Sequence, residues 1–255
     1  MAGTPSDVPA AWPITVVHRG SGPEVLLVHG GASPEATWSG LIPLRSRWTL
    51  ASVYRRGFAP SPLPPAGHQD FDADADDLAV LLDGRPHIVA HSYGALGAVM
   101  AATRRPEQVR TLTLIEPSFF LPPDDPEVAR LRRMGDAVLT HGLDTDPAVL
   151  REFLRIAGAP MADEGPLPEA VARSIRRAHG SRSPGEADLA LDVLRHAGIP
   201  ILVASGQHTA ALERMCDAVT SQLHAQRVRA PGAGHFVASA RGFADRLDRF
   251  LSSWN

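Results

Sequence analysis

Ser92 and His235 have the residue types and settings for nucleophilic chemistry. Ser92 stands in His87-Ile-Val-Ala-His-Ser-Tyr-Gly-Ala-Leu-Gly-Ala, an apolar run that fits a buried strand and passes through small residues into a helix. Gly94, Ala95, Gly97 and Ala98 leave room for a sharp strand-to-helix corner. Such a corner lifts a hydroxyl above the carboxyl edge of a sheet and turns the next amide, that of Tyr93, and the helix N-terminus toward the same point. A serine is a weak nucleophile until a base takes its proton, and an imidazole can take that proton near neutral pH and return it to a leaving group. His235 lies in the glycine-flanked stretch Gly232-Ala-Gly-His235-Phe, after the last predicted strand, where its ring can reach over the strand ends. The chemistry of such a pair is acyl transfer. The turn signature G-x-S-x-G is incomplete, with Ala90 at its first glycine, so its force comes from the strand, turn and helix around it.

Those side chains meet only if parallel strands end side by side. Apolar runs predict strands at Ile14–His18, Val25–His29, Thr49–Val53, His87–Ala90, Thr111–Glu116, Ile199–Ala204 and Gln226–Ala230. Helical periods lie between and after them at Asp72–Leu82, Tyr93–Arg104, Thr209–Leu223 and Ala240–Trp254. Alternation of this kind gives an α/β fold, a mostly parallel sheet covered by helices on both faces. It breaks between Phe119 and Gly198, where Pro122, Pro123, Pro126, Pro147, Pro160, Pro166, Pro168 and Pro184 separate short amphipathic helices and no strand is evident. Residues 119–198 therefore read as an inserted helical lid, and residues 1–118 with 199–255 as the core.

From about Ile14 to Trp254 the sequence resembles the α/β-hydrolase superfamily. Leu27-Val-His-Gly-Gly is similar to its oxyanion-loop motif, Tyr54-Arg-Arg-Gly-Phe-Ala-Pro-Ser to a strand exit, and Ala90 to Gly94 to its nucleophile elbow. Pro106 and Val109 before Leu112 to Glu116 match the usual approach to a strand, and His235 sits where the family keeps its histidine. The resemblance implies an oxyanion hole from the amides of Gly31 and Tyr93, with Ala32 as the near alternative to Gly31. It also exposes a departure: Ala204-Ser-Gly-Gln-His-Thr, where the commonest members carry the acid, has no carboxylate. Some members, haloalkane dehalogenases among them, place the acid where Glu116 ends its strand, which makes Glu116 the expected orienter of His235. The plain alternative is a strand end feeding the lid, with Glu213 and Asp217 as fallback acids on a helix beside Arg214.

The remaining candidates read as structural. His29 and His91 flank the site and are expected to shape it, whereas His68, His141, His179, His196 and His224 read as exposed. The acidic run Asp70–Asp77 fits a helix that buries Phe71, Leu78, Leu81 and Leu82 and turns its carboxylates outward. Arg130, Arg132 and Arg133, like Arg173, Arg176 and Arg177, read as solvated lid faces, with a substrate anion as the alternative. Trp38, Phe58, Phe119, Phe120 and Phe236 line a pocket or fill core, and Cys216 reads as an inert, semi-buried helix residue.

With 255 residues, 44% hydrophobic and 21% charged, and a formal charge of −3, the chain has no basic footprint for nucleic acid and no apolar run long enough for a membrane. A single cysteine and an N-terminal segment without a basic or continuous apolar region point to the cytoplasm. No dinucleotide fingerprint, phosphate loop or metal-spaced cluster occurs, so the expectation is a small-molecule substrate with no cofactor and no metal. The resemblance implies a serine hydrolase of an ester, thioester or lactone, small to medium and mostly apolar, working through an acyl-enzyme on Ser92. The alternatives are the same residues used for lyase, carbon–carbon hydrolase or cyclase chemistry, or a non-catalytic ligand-binding relic. An Asp-nucleophile reaction such as epoxide hydrolysis is disfavoured by the serine at the elbow.

Overall fold

The structure, a computed structural model, describes residues 13–255; the segment Met1–Trp12, read above as lacking a leader, lies outside them. Seven strands form: β1 (Thr15–Arg19), β2 (Glu24–Val28), β3 (Thr49–Tyr54), β4 (His87–His91), β5 (Thr111–Ile115), β6 (Ile201–Ser205) and β7 (Gln226–Arg229). They join in the order β1-β3-β2-β4-β5-β6-β7, antiparallel between β1 and β3 and parallel elsewhere. Every residue of β4, β5 and β6 is buried, because helices cover both faces, and this is why these strands read as unbroken apolar runs.

The helices among the described residues are α1 (Pro34–Trp38), α2 (Phe71–Ala79), α3 (Gly94–Arg104), α4 (Pro126–His141), α5 (Pro147–Ile156), α6 (Glu169–Ala178), α7 (Leu191–Ala197), α8 (Ala210–Leu223) and α9 (Phe243–Ser252). The strand period of two divides the core. Leu26, Ile88, Leu112 and Val203 face Phe71, Leu78, Ala98, Leu194 and Val219 on one side. Val25, Leu27, Val89 and Leu202 face Trp38, Trp48, Phe243 and Leu247 on the other. The sequence reading did not include α1. Ser33 caps it and Pro34 opens it, but five residues are too few for a helical period to register.

Between β5 and β6 the described chain is helical. The prolines that interrupt the alternation partly explain this, since Pro126 and Pro147 are the first residues of α4 and α5. Asp125 and Asp146 precede them, and each side chain accepts from two free amides of its helix. The insertion holds a small core of its own, with Val138, Leu150, Leu154, Val171 and Ile175. It is seated on α8 through Val128, Leu131 and Met134 against Ala211, Leu212 and Met215. Among the described residues no helix is long and apolar enough to cross a membrane.

Candidate active site

β4 ends at His91 and α3 begins at Gly94, so two residues make the turn. Ser92 has φ +53°, a left-handed conformation that costs an L-residue about 1–2 kcal/mol. Its neighbours hold it there: the Ser92 amide donates to Ile115 O at 3.0 Å, and the Ala95 amide donates to Ser92 O at 3.1 Å. The loop after β2 presses against this turn, and a Cβ on Gly30 would lie 2.8 Å from the Ser92 Cβ. The loop after β2 thus puts Gly30 against the Ser92 side of the turn, Tyr93 follows Ser92 directly, and Gly31 is exposed to solvent.

Glu116 follows β5 with a second left-handed backbone, φ +41°, and is fully buried. Its carboxylate is heavily engaged. Oε2 accepts from His235 Nδ1 at 2.6 Å, and Oε1 accepts from the Gly206 amide at 2.7 Å. The His208 Nδ1 stands 3.4 Å from Oε1. Burial pushes the carboxyl upward, but the close approach of His208 and the hydrogen bond from His235 outweigh it and hold Glu116 at about 2. The ionised carboxylate fixes the Nδ1–H tautomer of His235 and leaves Nε2 as its basic nitrogen.

The supporting loops are in backbone contact. Gly206 has no room for a side chain, since a Cβ there would lie 1.9 Å from Gly234 O, next to His235 in sequence. His91 Nε2 donates to the His235 carbonyl at 2.9 Å; burial, then the nearby His235, lowers His91 to about 3. His29 is likewise neutral, driven well down by burial and then by Arg55. Its Nδ1 donates to Gly30 O at 3.0 Å and its Nε2 accepts from the Arg55 amide at 3.2 Å. With both ring nitrogens occupied, His29 shapes the loop and has no free base.

The structure brings Glu116 and His235 into direct contact and puts Ser92 at the same sheet edge. Among the described residues the Ser92 hydroxyl makes no hydrogen bond to the His235 ring; Ser118 Oγ lies 3.5 Å from it. Glu213 and Asp217 are not at the site. They pair with Arg227 and Arg229, while Arg214 pairs with Asp125. Asp74 corrects the outward reading of the acidic run: it is buried and joined to Arg55 at 2.5 Å. Cys216 is fully buried, and His68 is half-buried where exposure was expected. Trp38, Phe58 and Phe119 are core, and Phe120 and Phe236 are half-buried. Of the arginines between β5 and β6, Arg130 pairs with Glu152 and Arg176 with Glu169, whereas the Arg177 guanidinium lies over the Phe58 ring at 4.0 Å.

Arg55 is a buried position behind the site that sequence reading missed. Its guanidinium binds Asp74 and donates to Gly30 O at 3.1 Å, so it braces the loop beside Ser92 from behind. A signal was present, since Phe71, Asp74, Ala75 and Leu78 have the spacing of one helix face, all of it buried. Glu116, His208 and His235 present ligand atoms within 4.8 Å of one another. A metal there would have to displace the Glu116–His235 hydrogen bond, and His208 Nε2 is already committed to Ile156 O at 2.9 Å.

A sheet of this order with a serine at the β4–α3 turn defines the α/β-hydrolase class, and residues 25–246 match the alpha/beta hydrolase family. The chain belongs to that family and is a hydrolase of the carboxylesterase-like kind. It is 29% identical to 2-(acetamidomethylene)succinate hydrolase of Mesorhizobium japonicum, with 88% of this chain and 85% of that protein covered. It is 35% identical to pimeloyl-[acyl-carrier protein] methyl ester esterase of Methylococcus capsulatus, with 71% and 70% covered. Among solved structures, an alpha/beta hydrolase from Sphaerobacter thermophilus superposes with a TM-score of 0.65 at 26% identity, over 93% of this chain and 96% of that one.

Proposed function

We propose that this hydrolase cleaves a carboxylic ester, thioester or lactone through an acyl-enzyme on Ser92. The observation that carries the reading is the 2.6 Å hydrogen bond from His235 Nδ1 to a buried, ionised Glu116 at the edge where Ser92 turns out of the sheet. In this mechanism the Ser92 hydroxyl rotates from Ser118 toward His235 Nε2, which takes its proton as the oxygen attacks the carbonyl. The Gly31 and Tyr93 amides receive the oxyanion, and Glu116 balances the imidazolium. His235 returns the proton to the leaving alcohol, and water then releases the acyl group by the same steps in reverse roles.

Residues 119–198 serve as a lid over the site, and Phe236, half-buried beside the His91 and His235 rings, suits a small to medium, mostly apolar acyl group. The esterase relative named above acts on a methyl ester, which makes methyl esters of graded acyl length the natural first panel. A buried, unpaired cysteine is in keeping with a reducing cytoplasm. The test pairs that panel with a fluorophosphonate probe on wild type, Ser92→Ala and Glu116→Gln. Turnover and Ser92 labelling in wild type, loss of both in Ser92→Ala, and strongly reduced turnover in Glu116→Gln are expected. Equal turnover by all three, or a folded wild type that the probe leaves unmodified, ends the acyl-enzyme reading.

A further inference from the structure

The loop after β6 carries no carboxylate, yet it reaches the site with two other groups, the Gly206 amide and the His208 ring. His208 spans two elements. Its Nε2 lies 2.9 Å from the carbonyl of Ile156, the last residue of α5, and its Nδ1 lies 3.4 Å from Glu116 Oε1. The turn that follows α5 also backs onto the site, since a Cβ on Gly158 would lie 3.2 Å from the His235 Cβ. We propose that His208 is a positioning residue for the Ser92–His235–Glu116 chemistry: it holds the outer oxygen of Glu116 and ties that carboxylate to the lid through Ile156, so that one side chain sets the acid and latches α5 over it. The assignment rests on the hydrolytic reading for its catalytic meaning, although the latch itself is a matter of geometry.

The tautomer argument is direct. A carbonyl only accepts, so the hydrogen shared with Ile156 O must sit on His208 Nε2. Nδ1 then faces Glu116 either with a lone pair, which a carboxylate repels, or with a second hydrogen, which it attracts. The close approach of the Glu116 carboxylate, 3.4 Å from Nδ1, favours the second form and raises His208 above its ordinary value of 6.5, against the opposing effect of partial burial. Other charges facing the ring are few. Glu213 on α8 is occupied by Arg227 at 2.8 Å, and the His235 ring is 6.2 Å away. On the lid side His208 shares a cleft with Glu127, Arg130, Glu152 and Arg155, of which Arg130 and Glu152 pair with each other. Glu116 is therefore the group that sets the charge of His208. Held by Gly206 and His208 at one oxygen, the carboxylate cannot swing away from His235 at the other. When His208 loses its second hydrogen on the alkaline side, the Nδ1 lone pair meets Oε1 and both grips weaken together.

The test uses the full chain with 15N-labelled histidines and long-range proton–nitrogen spectra from about pH 5 to 9, with His208→Gln identifying the His208 signal. The expected result is a His208 ring that titrates above 6.5 in wild type and returns toward 6.5 in Glu116→Gln. In parallel, His208→Gln should lose roughly ten- to a hundredfold in kcat/KM on the best ester, as expected for a displaced reacting geometry. It should also lack the alkaline fall in kcat/KM that wild type shows as His208 titrates. A wild-type His208 that titrates no higher than in Glu116→Gln overturns the proposal, as does a folded His208→Gln enzyme with unchanged kcat/KM and pH profile. An ester panel with no turnover would end the hydrolytic reading instead, and the ring titration would still decide the latch.

Discussion

Removing the Asp74 carboxylate should destabilise the chain far more than the pair it belongs to stabilises it. The Asp74 and Arg55 side chains are 5% and 1% exposed, and two guanidinium N–H groups reach Asp74 Oδ2 at 2.9 and 2.5 Å. Burial pushes the Asp74 carboxyl up more strongly than Arg55 pulls it down, so desolvation consumes most of the attraction between the two. Asp74→Ala leaves the guanidinium buried with only Gln69 Oε1 and Gly30 O as acceptors among the described residues. Breaking a buried pair from one side costs about 3–5 kcal/mol. At roughly 2–4 °C per kcal/mol for a chain of this size, Tm should fall by about 6–20 °C. The double variant Arg55→Met/Asp74→Ala removes both charges and should recover at least half of that loss. It should not recover activity, because Gly30 O has lost the donor that braces the loop beside Ser92. Thermal unfolding at neutral pH and kcat/KM on one ester, measured on all three proteins, decide the matter. An Asp74→Ala Tm within about 2 °C of wild type, or a double variant less stable than the single, would refute the reasoning.

Glu116 makes a second prediction, on acid stability. Its folded value of about 2 lies below the ordinary 4.5, so its contribution is complete above 4.5 and is lost as pH falls through that range toward 2. Denaturant midpoints of wild type should therefore drop over that window more steeply than those of Glu116→Gln, and parallel curves would contradict the assignment. Ser92 offers a third comparison. Ser92→Gly and Ser92→Ala both lack the hydroxyl, but only alanine keeps a Cβ at φ +53°, so the glycine variant should be the more stable by about 1 kcal/mol in calorimetry. An alanine variant equal or superior in Tm would show that the turn is not strained.

What could be read from residue order was whatever depends on local period and on turn chemistry. The buried runs of β4, β5 and β6, the small residues after Ser92 and the glycines around His235 all act within a few positions, and each predicted strand formed within two residues at either end. Asp74 was misread because a run of aspartates looks solvated by composition, although its place between Phe71 and Leu78 put it on the buried face. Glu116 was reachable only through resemblance, since a glutamate at a strand end has no local mark of its long-range partner, 119 residues away. His208 left less trace still. Its loop was notable for the carboxylate it lacked, and both of its contacts come from elements distant in sequence, Glu116 and Ile156. The Ser92 and Ser118 hydroxyls meet for the same reason, through strand register rather than spacing along the chain.

The close seating of Gly206 against Gly234 carries a consequence for redesign. Two segments that touch main chain to main chain cannot be lengthened one at a time, because an extra residue in either would pry the histidine from its acid. Grafts at this end of the molecule must move both segments as a matched cassette, while α6, whose Val171 and Ile175 pack on a small core within the segment between β5 and β6, tolerates exchange more independently.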